Sequence, residues 1–307
     1  MAILSAGAVS CRPAELFPAT EALEIRAVTE HASKSDAEHG SLPSTYVLCA
    51  SGHLLDPRND IDYFKAHKFV HDGGCWKGEP TIYWPISGRI SLLCLATEDT
   101  GSWLQALTSW NARDASESVR VDVPDRTKLD SELLYGATIL THPGTASTLV
   151  MHHSQALLKF TFSSNAADLI RIDRVEIEDA YSGGTLTVDN SGLLSHRWEF
   201  SGHEREHRIT VPDSEHLVLG SVTSESRLLL PEQQAKRIWI SYRRRNYASD
   251  SWESAPVVKT SVHEPATAEW LSGNVYEYRL QLDLTETVLT LTLSPWGHSS
   301  PSVSTLK

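Results

Sequence analysis

The residues with the clearest chemical spacing are His203-Glu204-Arg205-Glu206-His207, an HExxH pattern. On a helix, positions i and i+4 aim two imidazoles at one metal and leave the Glu to activate a bound water, which is the chemistry of a zinc hydrolase. That chemistry requires the helix. Here Gly202 precedes the pattern, Ile209-Thr210-Val211-Pro212 follows it, and no apolar stripe is present to dock a helix across a cleft. A charged turn between Trp198-Glu199-Phe200 and Arg208-Ile209-Thr210-Val211 accounts for the same residues. Five matching positions also arise easily by chance in a chain with 14 His. Zinc hydrolysis at His203 and His207 is therefore the remote alternative, and the expectation is a protein that is not an enzyme and uses no metal or cofactor.

Other reactive groupings are weaker still. His152 and His153 open a strand-like segment, so they point to opposite faces and cannot jointly hold one metal; one of them reads as a satisfied core or interface histidine. No GxSxG, SxxK, GxGxxG or P-loop pattern occurs, and the acidic residues are scattered. Cys49, Cys75 and Cys94 form no CxxC pair, and their odd number gives no disulfide framework, although one bridge among the three stays open. Of the nine Trp, Trp84 reads as core packing, as do Tyr276 and Tyr278, whereas Trp103, Trp110, Trp252 and Trp296 lie in or beside polar stretches. Those four are either edge packing or a surface for glycan binding or assembly.

The elements that would position these residues are strands. From Tyr276, the residues Tyr276, Tyr278, Leu280, Leu282 and Leu284 alternate with Glu277, Arg279, Gln281 and Asp283, a period of two. After Thr285-Glu286-Thr287, Leu289, Leu291 and Leu293 alternate with Thr290, Thr292 and Ser294, and the two segments predict an antiparallel hairpin. Strand patterns recur at Leu158 to Phe162, Ile238 to Tyr242 and Ile90 to Cys94, separated by turn residues such as Asp189-Asn190-Ser191-Gly192 and Ser272-Gly273-Asn274. Only Lys128 to Tyr135 suggests a short helix. Many short strands without intervening helices predict an all-β chain of antiparallel sandwiches.

A chain of 307 residues suits two cores, and Thr141-His142-Pro143-Gly144-Thr145 offers the boundary. The expected units are 12–144 and 145–307. A net charge of −12 opposes docking on phosphate backbones, so nucleic acid is not an expected partner. Residues 2–10 are apolar or small and end at Cys11, which reads as the close of a lipoprotein signal spanning 1–11, with Cys11 acylated; a frayed terminus is the plain alternative. Because no Lys or Arg precedes the apolar run, the natural start is expected upstream. Leu23 to Val28 alternates like a strand, and the polar stretch Thr29 to Ser44 after it contains Lys34. A strand tethered by such a loop can be cut away.

Several segments taken in order resemble the Bacteroidetes fimbrillin family, the pilins and associated proteins of protease-dependent type V fimbriae. They are the Cys-ending leader, Tyr83-Trp84-Pro85, Leu134-Tyr135-Gly136, Leu149-Val150-Met151-His152-His153 continuing to Phe162 as one strand, Leu229-Leu230-Pro231-Glu232-Gln233 before Ile238-Trp239-Ile240, Trp270 to Tyr278, and Leu291 to Trp296. The resemblance implies two tandem transthyretin-like antiparallel β-sandwich domains and export to the outer membrane and cell surface through a lipid anchor. It also implies partnership with other fimbrial subunits by β-strand addition. In such pilins a trypsin-like protease cuts after a basic residue near the N-terminus, for which Arg26 and Lys34 are the positions here. The first strand is lost, and a strand from another subunit fills the groove. Host or bacterial surface glycans or proteins are the further partners it implies. One departure is the short polar tail Gly297 to Lys307, which has few alternating apolar residues to act as a donor strand; it weakens the expectation of a stalk subunit and leaves an anchor, tip or accessory role open.

Overall fold

A computed structural model describes residues 21–29, 41–56, 59–85, 88–98, 118–123, 132–141, 148–166, 169–200, 208–210, 224–234, 236–262, 269–282, 287–295 and 302–306. No helix occurs among them. The first half of the chain supplies β1 (Glu24–Thr29), β2 (Tyr46–Asp56), β3 (Asn59–Asp72), β4 (Cys75–Glu79), β5 (Arg89–Glu98), β6 (Ser118–Val123), β7 (Leu133–Thr141) and β8 (Thr148–His153). Then come β9 (Gln155–Ser163), β10 (Ile170–Glu178), β11 (Gly184–Asp189), β12 (Ser195–Glu199), β13 (Arg208–Thr210), β14 (Ser224–Pro231) and β15 (Gln233–Gln234). The last are β16 (Ile238–Arg244), β17 (Val257–Val262), β18 (Glu269–Trp270), β19 (Asn274–Leu282), β20 (Thr287–Pro295) and β21 (Ser302–Leu306).

Seven of the early strands close on themselves in the order β1-β4-β3-β2-β5-β7-β8. Inward residues of every strand fill this ring: Leu23 and Ile25 beside β4's Trp76, Phe69 of β3, Leu48 of β2, Ile90 and Leu92 of β5, Leu134 of β7, and Leu149 and Met151 of β8. The outward residues of β2, β5 and β7 are buried as well. Cys49, Leu93, Leu95, Leu133 and Tyr135 lie under Val119, Val121, Leu186 and Val188 of a three-stranded sheet ordered β12-β11-β6. A strand covered on both faces loses its polar alternation. That explains why Leu133-Leu134-Tyr135, expected in a short helix, lies in β7.

The later strands form a sandwich. A five-stranded sheet, β14-β9-β19-β20-β21, faces a four-stranded one, β13-β10-β16-β17, and their inward residues make one core. Phe160, Phe162, Tyr278 and Leu280 from the first sheet meet Ile172, Val175, Ile177 and Ile240 from the second. Phe160 stacks on Tyr278 with centroids 5.2 Å apart, and Trp270 donates its indole N–H to the Tyr278 hydroxyl at 2.8 Å. The predicted β19–β20 hairpin is present and antiparallel, with Tyr276 opposite Leu293 and Leu280 opposite Leu289.

One connection differs from expectation. The segment Leu149 to Phe162 is not one strand: β8 stays in the ring, β9 enters the sandwich, and Ser154 alone separates them. The strands on either side of residue 144, β7 and β8, both belong to the ring. The polar tail is also part of a sheet, since β21 pairs antiparallel with β20 from Leu289–Leu306 to Leu293–Ser302. Ladder hydrogen bonds, not an apolar pattern, make it a strand.

Candidate functional site

The ring closes through β1, which lies between β4 and β8. In β1 and at the residue before it, Leu23, Ile25 and Ala27 are buried in the ring, while Glu24 and Arg26 are exposed, as the alternation predicts. One end of β1 pairs antiparallel with β4, Glu24 with Lys77 and Ile25 with Trp76. Its other end pairs with β8 from Arg26–Thr148 to Thr29–Met151, and this pairing is parallel. Flanking bonds fasten both ends: Leu23 N–H donates to the Ile82 carbonyl at 2.8 Å, Trp84 N–H to the Glu21 carbonyl at 3.0 Å, and Leu42 N–H to the Ala27 carbonyl at 3.1 Å. Burying Leu23 and Ile25 stabilises the closed ring by about 1.5–3 kcal/mol each. Without β1, the edges of β4 and β8 would face each other across a gap with unpaired backbone groups and an apolar floor.

Close packing at this seam explains Gly136. A Cβ there would lie 2.4 Å from the Val150 carbonyl oxygen and 2.9 Å from Met151 Sδ, so only glycine lets β8 lie against β7. Trp76 carries a cost in the seam, a buried indole N–H with no acceptor among the described residues.

A second site joins ring and sandwich. Buried Ser154 donates both its N–H and its hydroxyl to the Leu133 carbonyl, at 3.2 and 2.6 Å, and its own carbonyl accepts from Trp198 Nε1 at 2.8 Å and Ser272 Oγ at 2.9 Å. Beside it, Glu132 takes the Tyr46 hydroxyl at 2.5 Å on one oxygen and His153 Nδ1 at 2.8 Å on the other. Burial, and then the charge of Glu132, push the Tyr46 phenol well above its usual value, so it stays a donor. His153 is thus a satisfied buried histidine, and His152 faces the other way, its ring tilted against Tyr135 at 5.4 Å.

Across this junction His196 meets Tyr135 at 2.9 Å through Nδ1, and Ser272 Oγ at 3.0 Å and Glu232 at 3.2 Å through Nε2. A serine, a histidine and a carboxylate in reach raise the question of a nucleophilic triad. In a triad the serine and the acid occupy opposite ring nitrogens. Here both sit at Nε2, and the Ser272 proton is committed to the Ser154 carbonyl. The cluster therefore fastens two bodies and does not activate a nucleophile. Sequence reasoning missed it because Tyr135, His196 and Ser272 are far apart in the chain; the only local signal was a polar His-His-Ser-Gln run between two apolar strands.

The remaining predicted residues fall as follows. Arg26 lies within β1 with its side chain exposed. Cys11, Lys34, Trp103, Trp110, Trp296 and the His203–His207 pattern lie outside the described residues. Trp252 is half-buried between two guanidinium groups, Arg245 at 4.0 Å and Arg171 at 5.3 Å from its ring centroid. Among the described residues Cys49, Cys75 and Cys94 form no disulfide. Cys49 faces the three-stranded sheet and Cys94 the ring interior, so adjacent strands hold them apart on opposite faces. Burial pushes the Cys49 thiol up to about 12 and raises Cys94 as well, so neither is a thiolate at neutral pH. Among the described residues no group of three or more His, Cys, Asp or Glu gathers to hold a metal.

Comparison with known proteins follows this geometry. The model of the fimbrillin-like family matches residues 32–296. Among solved structures, a protein from Bacteroides ovatus provisionally assigned to cell adhesion is similar at a TM-score of 0.59 with 11% identity, covering 91% of this chain and 99% of that one. One from Bacteroides uniformis with the same provisional assignment is similar at 0.56 with 12% identity, covering 90% and 99%. A fimbrial protein from Bacteroides vulgatus is similar at 0.51 with 9% identity, covering 89% and 99%. At these identities the likeness shows a common fold. No curated protein matches the chain by sequence.

Proposed function

Because this chain belongs to the fimbrillin-like family, we propose that it is an exported fimbrial subunit of the cell surface, anchored in the outer membrane through lipid on Cys11, with β1 as a removable strand. The observation that carries the strand-removal reading is the seam. β1 pairs over only two residues with β4 and four with β8, and together with Leu23 just before it places three buried side chains in the ring. Once it is cut away, a strand of another subunit with the same alternation would satisfy both edges and the floor. The backbone of Arg26 is itself paired with β8, so Lys34 is the position expected to be cut first, with Arg26 following as β1 lifts. The chain divides into ring and sandwich units near Ser154 in this reading. Catalysis has no part in it.

Brief trypsin treatment of the full chain tests this. Mass spectrometry should find the first cleavages after Lys34 or Arg26, while the remainder keeps a cooperative thermal transition and accepts a synthetic peptide of residues 21–29. First cuts elsewhere, or a remainder with no transition, would overturn the strand-removal reading.

A further inference from the structure

The outer face of the sheet containing β10, β16 and β17 carries a feature that strand exchange does not use. Alternation along β16 puts Trp239 and Arg243 on this face, four residues and about 13 Å apart. Arg245 follows just beyond the strand end. Trp239 has Lys259 Nζ 4.6 Å and Arg237 5.7 Å from its ring centroid, and its indole N–H is fixed by Glu178 at 2.8 Å. Trp252 lies between Arg245 and Arg171 at the other end. Each of the two tryptophans thus has two cations on it.

The loop that presents Trp252 is held firmly. Arg243 reaches under it, pairs with Asp173 at 2.7 Å and donates to the carbonyls of Trp252, Glu253 and Ala255 at 3.2, 3.4 and 3.3 Å. Arg245 donates to the Asp250 carbonyl at 2.8 Å, and Asp250 accepts from the Tyr247 N–H at 3.0 Å. Tyr247 itself is 72% exposed. Holding an exposed aromatic loop so tightly lowers the entropy that a ligand must overcome on binding.

The charge of the face runs against that of the chain. The protein carries −12 overall, yet Arg171, Arg174, Arg237, Arg243, Arg245 and Lys259 gather here. Asp173, Glu176 and Glu178, with Asp250 and Glu253 in the Trp252 loop, balance most of them, but among the described residues Lys259 has no carboxylate within ion-pair distance. A cation lying over an aromatic ring can still meet an acid from its outer side, as Lys259 can here. We propose that this face, from Trp239 to Trp252, binds an anionic polysaccharide, with its carboxylates or sulfates on the stacked cations and its sugar rings along the tryptophan edges and Tyr247. An extended acidic chain fits a flat strip about 13 Å or more long better than a compact ligand does.

The test uses the full chain on immobilised heparin and polygalacturonate, with dextran as the neutral control. Retention is expected on both acidic polymers, none on dextran, and elution by about 1 M salt, where the Debye length is only about 3 Å. Trp252→Ala and Lys259→Gln should each weaken binding by roughly fivefold or more, and Lys259→Gln leaves the Trp252 loop intact. Arg279→Ala, on the opposite sheet, should leave binding unchanged. Equal loss with Arg279→Ala, equal retention on dextran, or no retention at all would each overturn the proposal. So would self-association abolished by Lys259→Glu without glycan retention, because the face would then dock a second acidic copy of the chain.

Discussion

Among the described residues two strand pairings are parallel, and they differ in where they sit. In the sandwich, β9 and β19 pair in parallel from Leu157–Val275 to Ser163–Gln281, in the middle of a sheet, with β14 bonded along the far side of β9 and β20 along the far side of β19. In the ring, β1 and β8 pair in parallel only from Arg26 to Thr29, at the place where the ring closes. The first pairing is bracketed by long antiparallel ladders and cannot open without dismantling its sheet. The second is a four-residue ladder whose strand β1 continues antiparallel to β4 over only two residue pairs. The same backbone geometry is enclosed by ladders on both sides in one half and sits at the ring closure in the other.

The largest effect expected from this contrast is in the sandwich. Phe160→Ala removes a fully buried ring stacked on Tyr278 and beside Phe162, and should cost about 3–5 kcal/mol in urea unfolding. A cost below about 1 kcal/mol would mean that the core collapses around the gap, and the sandwich would not be the rigid partner in the comparison. Next comes Ile25→Ala, which removes the central inward side chain of β1. It should cost about 2–4 kcal/mol, and the loss should be local. Hydrogen exchange should show the amides of β4 and β8 losing protection while those of β9 and β19 keep theirs. Equal loss in all four strands would make ring and sandwich one cooperative unit and remove the contrast.

Much of the sandwich was legible in the residues, because its strands have one wet face. The β19–β20 hairpin shows the period-two pattern, and its inward Tyr276, Tyr278, Leu280 and Leu282 are buried as that pattern requires. The ring was harder to read. Leu133 and Tyr135 point into one core and Leu134 into another, so the run carries no alternation and imitates a helix. β1 shows its buried face in the sequence but not its partners. The parallel match of Arg26 with Thr148 joins residues more than a hundred positions apart, and no local pattern encodes that register. The meeting of Tyr135, His196 and Ser272 is hidden for the same reason. The β21 strand is invisible because a polar edge strand is held by its ladder alone.

The smallest expected effect sharpens the contrast on the side of the sandwich. On the outer face of β14, β9 and β19, Lys159 lies 3.0 Å from Glu225 and 3.8 Å from Glu277, with Arg227 and Arg279 completing the row at 2.6 and 3.0 Å. Burial alone would raise both glutamates, but the bonds from these cations outweigh it and hold both carboxyls below their ordinary value of 4.5. A carboxylate lowered on folding contributes stability that is full above its unfolded value and is lost as pH falls through its folded value. Urea midpoints should therefore decline as pH drops below about 4.5, and Lys159→Met should make that decline shallower. The row ties β9 to both of its neighbours, whereas the parallel pairing of β1 has no such cross-strand row among the described residues, only the Glu24–Lys77 contact toward β4 at 3.5 Å. Acid should accordingly loosen the sandwich sheet more than the seam. If hydrogen exchange at low pH instead loosens β1 first by an amount that Lys159→Met does not alter, the row contributes nothing to the difference, and the permanence of the β9–β19 pairing rests on its ladders and core alone.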